Sequence, residues 1–349
     1  MEVVGATAVR HPDSTLLQAG AEAALLPASA TQAHGEHGPA PKLSIVSTLY
    51  RSRSFLPGFL DECLQVLQQL GIDNFEILLV NDGSPDDSVA YCRQRQRDVP
   101  QLVVVELSRN FGHHHAIHAG LGLARGEQVF LIDCDLEVRP AVLADFRARM
   151  QQPGDVDVIY GYQEARKGGF AERVGGGLFW KTLNKLSDVQ IPENTVTERL
   201  MSRRFVQSLL QMGDYNLFLA GMMSWTGFVQ IGVPVVKKQR EGRSTYTLLR
   251  RLQLMVNAVS SFSSRPLIWM FNIGVGITCL SVLYVAYLVF RRLFFGDTLL
   301  GFTSMMGMLA ISLGIMTTAV GLVGIYLGKV YNQVQGRPTY IIKDIHRQP

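Results

Sequence analysis

Residues Gln128–Glu137 read QVFLIDCDLE, a short apolar run leading into three carboxylates spaced two apart. The first half, Gln128–Ile132, has the length and side-chain content of a buried strand. The second half alternates Asp133, Asp135 and Glu137 with Cys134 and Leu136. On extended backbone alternate side chains share a face, so the three carboxylates converge if strand geometry persists beyond Ile132. Converging carboxylates repel one another unless a cation joins them. A hard divalent ion such as Mg²⁺ or Mn²⁺ suits oxygen ligands and also bridges phosphates. Acidic pairs also close strand ends as ordinary caps, so the surroundings must decide.

Working outward, Leu43–Leu49 (LSIVSTL), Phe75–Val80 (FEILLV) and Leu102–Leu107 are runs of the same kind, and Val156–Tyr160 makes a fifth. Helical patterning separates them: Phe55–Leu70 stopped by Gly71, a helix from the cap Asp86 to about Arg97, and Ala116–Ala124. Near-continuous apolar strands alternating with amphipathic helices predict an α/β fold with a mostly parallel sheet covered on both faces. Ligands bind such sheets beyond the carboxyl ends of the strands. The polar clusters of this chain fall at that edge. There Asp82 is placed to hydrogen-bond a base or ribose, and Gly83 permits a tight turn beside a ligand. An ordinary turn followed by a helix cap would use the same residues. Arg109, in Leu107–Gly112 (LSRNFG), is placed either to meet a phosphate or to tie loops together. His113, His114 and His115 are consecutive and cannot all face one ion.

The chain has 349 residues and a net charge of +4. That length implies more than one structural unit. The basic residues thicken toward the C-terminal third, which favours an anionic membrane face over nucleic acid as a partner. Cys63, Cys92, Cys134 and Cys279 form no CxxC pair and read as reduced, buried thiols. Residues 1–41 are rich in Ala, Gly, Pro and His, carry no leader pattern and read as a disordered tail. No charged side chain occurs from Pro266 to Phe290, nor from Thr298 to Gly328. About 24 helical residues extend roughly 36 Å, enough to cross a hydrocarbon core of ~30 Å. Residues 266–328 therefore read as a hairpin of two transmembrane helices joined by Arg291–Asp297.

Arg250, Arg251 and Arg265 precede the hairpin, and Lys329, Arg337, Lys343 and Arg347 follow it; they outnumber Arg291 and Arg292 between the spans. The positive-inside rule then puts both flanks in the cytoplasm. Residues 245–265 carry Leu248, Leu249, Leu252, Met255, Val256 and Val259 at helical spacing. They read as an amphipathic lead-in lying in the interface, with a helix packed on the soluble domain as the alternative. The expected organisation is a tail over 1–41, a catalytic domain over 42–244, this lead-in, the hairpin, and a cytoplasmic C-terminal tail over 329–349.

The ordered series NDGSPDD, LSRNFG, LIDCDLE with Pro140, GRSTY, a Ser-Phe stretch before Pro266-Leu267, and two terminal spans resembles the polyisoprenyl-phosphate glycosyltransferases of glycosyltransferase family 2. That group includes dolichol-phosphate mannose synthases and bacterial undecaprenyl-phosphate sugar transferases. The resemblance runs from Leu43 to Gly328. It implies a GT-A fold and an inverting transfer of one sugar from a nucleotide sugar to a polyprenyl phosphate. The setting it implies is the cytoplasmic face of a bacterial inner membrane, in lipopolysaccharide or cell-wall biosynthesis.

By the same resemblance, Asp135 and Glu137 hold Mg²⁺ or Mn²⁺, and Asp133, Asp135, Arg199 and Arg240 are catalytic. Leu49, Tyr50, Asn81, Asp82, Gly83, Arg109, Cys134 and Arg166 contact the nucleotide sugar. Arg199, Arg240, Ser244 and Tyr246 serve the acceptor phosphate. Arg199 comes from Glu198-Arg199-Leu200, matching the group's F-R-L, and the last three come from its G-x-S-K-Y loop. The chain departs from the group's pattern at Arg51-Ser52, Asn81, Thr197 and Thr245, and carries Glu137 where Gln is frequent. Expected partners are the donor, the lipid acceptor and membrane lipid, with a homo-oligomer left open. A lipid phosphate is already ionised near neutral pH, so positioning and charge stabilisation would replace a strong general base. Two other readings stay open, a processive polysaccharide synthase and a non-catalytic nucleotide-sugar-binding scaffold on the membrane.

Overall fold

The computed structural model of the protein describes residues 40–163, 190–237, 263, 265–295 and 301–348. Eight strands form one sheet in these residues: β1 (Leu43–Leu49), β2 (Phe75–Asn81), β3 (Leu102–Leu107), β4 (Gln128–Leu131), β5 (Val158–Tyr162), β6 (Thr195–Ser202), β7 (Gln230–Pro234) and β8 (Ile342–His346). Their order is β7-β5-β6-β4-β1-β2-β3-β8. The central pairs β4/β1, β1/β2 and β2/β3 are parallel, as is β5/β7. β6 runs antiparallel between β4 and β5, and β8 antiparallel on β3.

The helices are α1 (Leu56–Gln69), α2 (Ser88–Arg95), α3 (His113–Leu123), α4 (Val142–Met150), α5 (Arg203–Leu210), α6 (Leu219–Trp225), α7 (Arg265–Phe295) and α8 (Phe302–Val334). Alternation along β1 divides the core. Leu43, Ile45 and Leu49 pack with Leu56, Phe59 and Leu60 of α1, while Val46 joins Ala116, Ala119 and Leu121 of α3 on the other face. Burial on both faces is why the strands read as near-continuous apolar runs. α3 approaches closely because Gly120 has no side chain; a β-carbon there would lie 2.5 Å from Val46 Cγ1.

The expected C-terminal tail over 329–349 is corrected by the structure. α8 continues to Val334, and Ile342–His346 returns as an edge strand of the sheet, so the sheet-bearing domain does not end at 244. The cause is the open edge of β3, whose N–H and C=O groups need partners. Ser108 N donates to Ile341 O at 2.9 Å. The Gln96 side-chain amide donates to both Leu102 O (2.9 Å) and His346 O (2.8 Å), and His346 Nε2 lies 2.7 Å from Glu106 Oε1. Ile342 and Ile345 pack on the α3 side of the core. Deleting residues 341–349 is expected to cost on the order of 3 kcal/mol through these two partly buried isoleucines. Thermal unfolding should show a fall of about 5–10 °C, with light scattering from the bared edge; an unchanged midpoint would deny the strand its role.

α7 and α8, roughly 46 and 50 Å long at helical rise, each contain a stretch long and apolar enough to cross a membrane: Arg265–Tyr284 and Ile311–Val334. Their large apolar side chains, among them Phe271, Leu283, Leu313 and Met316, are exposed. The foot of α8 is fastened to the sheet-bearing domain. Gln333 donates through Nε2 to Gly213 O at 2.6 Å and accepts from Tyr215 N at 2.8 Å, and Tyr326 donates its hydroxyl to Ser263 O at 2.7 Å. The tail over 1–41, apart from its last two residues, lies outside the described residues, as does the lead-in over 245–265 apart from Ser263 and Arg265.

Candidate active site

The carboxylates at the end of β4 are arranged differently from what their alternation suggests. Strand pairing stops at Leu131, Ile132 N still donates to Val46 O at 3.0 Å, and the chain then turns, with Leu136 at φ +58. Extended geometry does not persist through Asp133–Glu137, so the three carboxylates do not share one strand face as their spacing predicts. The turn closes on itself instead: Asp135 Oδ1 accepts the Glu137 N–H at 3.0 Å. Burial, with Glu137 and Asp133 nearby, holds the Asp135 carboxyl above its ordinary range.

Glu137 Oε2 lies 2.6 Å from Lys237 Nζ. Asp133 Oδ1 lies 3.5 Å from His113 Nε2, whose Nδ1 meets Thr48 Oγ1 at 3.1 Å. Among the described residues no three His, Cys, Asp or Glu side chains are gathered into a set able to hold an ion alone. A set of one or two carboxylates is what Mg²⁺ ordinarily takes from a protein when substrate phosphates complete its shell. The donor set here, hard oxygens already drawing an ammonium, fits that pattern.

At the end of β2 the candidate Asp82 holds a neighbouring loop. It is 3% exposed, and its two oxygens accept the N–H groups of Phe111 (2.7 Å) and Gly112 (2.9 Å). Asn110 Nδ2 donates to Asp82 O at 3.0 Å. Gly83, at φ +63, must be glycine because a β-carbon would come within 2.6 Å of Asn110 N. Asp82 and Gly83 therefore hold the 108–112 loop against the end of β2. Asn81 Oδ1 accepts from Ser84 N at 3.0 Å, and Ser84 Oγ accepts from Arg51 N at 2.7 Å, which laces this turn to the one after β1. Asp82→Asn would set an amide donor against one of the two N–H groups. It is expected to cost about 1–3 kcal/mol, read as a lower midpoint in thermal unfolding; an unchanged midpoint would show the loop is held otherwise.

The remaining candidates divide. Leu49 is fully buried and offers the site no side chain, and its carbonyl accepts from Asp82 N at 3.0 Å. Tyr50 is half exposed, with Arg51 Cζ 5.7 Å from its ring centre. Arg109 turns back on its own loop, 4.1 Å over the Phe111 ring and 3.1 Å from Asn110 O. Cys134 is buried with Sγ 3.2 Å from Thr48 O, and burial pushes its thiol up to about 11. His113, His114 and His115 diverge as consecutive helical residues must, His113 toward Asp133 and His114 toward Leu217 O at 2.9 Å. Arg166, Arg240, Ser244 and Tyr246 lie outside the described residues.

Arg199 stands on β6, paired with Leu131 and Tyr160 on the two neighbouring strands. It is 6% exposed, its guanidinium 5.7 Å from the Tyr160 ring centre, and burial lowers its pKa to about 10. Its neighbour Glu198 escaped the sequence reading. Glu198 is 3% exposed, and burial together with the Asp133 charge raises its pKa to about 7. The signal was present in TVTERLMS. Alternation puts Glu198 with the core residue Leu200 and Arg199 with Met201, two charges on the two inward faces of one strand. Lys237 was also missed, since nothing local in Val235–Lys237 ties it to a turn 100 positions earlier.

A model of glycosyl transferase family 2 matches residues 44–210, which hold β1–β6 and the carboxylate turn. A Mycobacterium tuberculosis protein described as a glycosyltransferase is 36% identical over 305 residues, spanning 87% of this chain and 88% of its own length. The prophage-derived bactoprenol glucosyl transferase of Shigella flexneri is 31% identical over 308 residues, 88% of this chain and 99% of its own. Among solved structures, a mannosyltransferase from Pyrobaculum calidifontis in complex with GDP-Man and Mn²⁺ aligns with 63% of this chain and 64% of its own at 19% identity and a TM-score of 0.44. With full-length relatives above 30% identity and an α/β sheet whose carboxylates sit at its carboxyl edge, the chain belongs to glycosyltransferase family 2 and is a glycosyltransferase of GT-A fold.

Proposed function

We propose that the protein transfers a single sugar from a nucleotide sugar to a polyprenyl phosphate of the bactoprenol type, with inversion, at the cytoplasmic face of a bacterial inner membrane. The observation that carries this reading is the carboxylate turn Asp133–Glu137 in a chain whose second long apolar helix is fastened by Gln333 to the same domain. The likeness to the Shigella flexneri enzyme along 99% of that enzyme supports the lipid class. Arg265, Arg337, Lys343 and Arg347 flank the two apolar helices and support the cytoplasmic assignment. The domain organisation proposed is a family 2 domain completed by β8, with the hairpin inserted before its last strand.

Asp135 and Glu137 would hold Mg²⁺ or Mn²⁺, which when bound would supply charge neutralisation for the leaving diphosphate. The chain's own contribution is placement. An ionised phosphate oxygen of the lipid attacks the anomeric carbon; the new O–C bond forms as the bond from that carbon to the nucleotide diphosphate breaks, and no proton need be removed. Arg199, buried beside Tyr160, is proposed to orient the acceptor phosphate, with Arg240, Ser244 and Tyr246. Tyr50 at the rim and the backbone of the 81–84 turn are proposed to face the nucleotide, with Arg109 and Arg166 toward the diphosphate. Asp82 and Cys134 serve by holding that rim in place.

The test is incubation of the full chain in detergent with Mn²⁺, undecaprenyl phosphate and a panel of labelled nucleotide sugars. A lipid carrying one sugar is the expected product. A polymer, or tight nucleotide binding without turnover, would overturn the reading.

A further inference from the structure

Lys237 follows β7 by three residues, and its ammonium reaches across to Glu137 of the carboxylate turn at 2.6 Å. The Lys237 side chain is 38% exposed and that of Glu137 16%. Asp135 and Glu198 also act electrostatically on this ammonium, and Asp133 acts on both Asp135 and Glu198. Four carboxylates thus share one region, and Lys237 is the lysine drawn into it. Glu198 is nearly sealed from water, and among the described residues no cation pairs with it directly. Its position one residue beyond the last β4–β6 pair, Leu131 with Arg199, sets it beside the start of the turn. A buried carboxylate without a direct counter-ion is costly unless a nearby charge compensates it.

We propose that Lys237 is the built-in counter-cation of the metal site: it occupies Glu137 in the metal-free protein, is displaced from it when a divalent ion binds, and is kept at the site by Glu198. The inference rests on the reading of Asp135 and Glu137 as metal ligands. Lys237 and Glu198 are positioning residues in this scheme. The exchange keeps a crowded acidic turn folded before the ion arrives, and leaves an ammonium beside the place where charge accumulates on the leaving diphosphate.

The test measures Mn²⁺ binding to the full chain in detergent, without nucleotide, from the electron paramagnetic resonance signal of free Mn²⁺. Lys237→Met removes the competitor and is expected to tighten binding about tenfold, the scale of one close charge at a half-exposed site. Lys237→Arg restores the charge and should bind within about threefold of the natural protein. Arg139→Met removes a positive charge two residues from Glu137, but one tied to Glu62 at 2.8 Å; an equal gain there would reduce the effect to a general field and overturn displacement. Glu198→Gln should weaken binding several-fold, and that loss should vanish in the Lys237→Met background, because Glu198 acts through Lys237. Additive effects would remove Glu198 from the scheme. Mn²⁺ bound normally by the natural protein with no change in Lys237→Met would sink the inference alone. No Mn²⁺ binding by the natural protein would sink the metal site beneath it.

Discussion

Asp135→Asn is expected to lower kcat/KM for sugar transfer by on the order of 10²–10³-fold, the usual loss when one preorganised charge-stabilising element is removed. Asparagine is the informative replacement because of what Asp135 does within the turn. Its Oδ1 accepts the Glu137 N–H at 3.0 Å, and the amide oxygen of asparagine can accept the same bond. The turn should survive and only the charge is lost. Burial and two neighbouring carboxylates already disfavour the charged form of Asp135, so the metal-free variant should melt no lower than the natural protein. Transfer rates across a Mn²⁺ titration, with melting curves in parallel, separate the two contributions. Transfer at the natural rate with the natural metal dependence would take Asp135 out of the ion's shell. A lowered midpoint would instead mark the carboxylate as structural.

How much of this was legible in the sequence depends on the range over which each feature is encoded. β1, β2, β3 and β4 are buried on both faces, so each announces itself locally as a run such as FEILLV. β6 does not. TVTERLMS mixes polar and apolar residues with no regular period, and it pairs with β4 and β5 from a distant part of the chain. β8 is similarly hidden: Ile342–His346 carries three polar side chains, and only the open edge of β3 gives it a reason to be a strand.

The site divides in the same way. The spacing of Asp133, Asp135 and Glu137 drew attention to this turn through an extended geometry that the left-handed Leu136 does not permit. For Asp82 the sequence offered both a ligand contact and a turn. The turn role rests on Phe111 and Gly112, 29 and 30 positions away, whose N–H groups each donate to one of its oxygens. Lys237 and Glu198 enter only through pairing across the sheet. Local pattern thus located the polar carboxyl edge of the sheet, and long-range packing decided which side chains along it are already engaged.

Arg199→Met should separate function from stability most sharply of all. A buried guanidinium costs desolvation free energy, and its pKa is lowered to about 10 by that burial. Among the described residues no carboxylate lies within ion-pair distance of it; the Tyr160 ring centre, at 5.7 Å, is its close neighbour. Replacing a buried charge by an apolar side chain of similar length is often neutral or stabilising, whereas breaking a true buried ion pair costs about 3–5 kcal/mol. If the intended partner of Arg199 is the acceptor phosphate, Arg199→Met should melt at or above the natural midpoint while transfer falls on the order of 10²–10³-fold. Arg199→Lys keeps a charge but loses the planar fork that grips two phosphate oxygens, and should recover only part of the rate. The readouts are initial rates over a range of undecaprenyl phosphate concentrations, with thermal unfolding of each variant in the same detergent. A midpoint lowered by about 10 °C with transfer retained would make Arg199 a structural cation and leave the lipid phosphate to other residues.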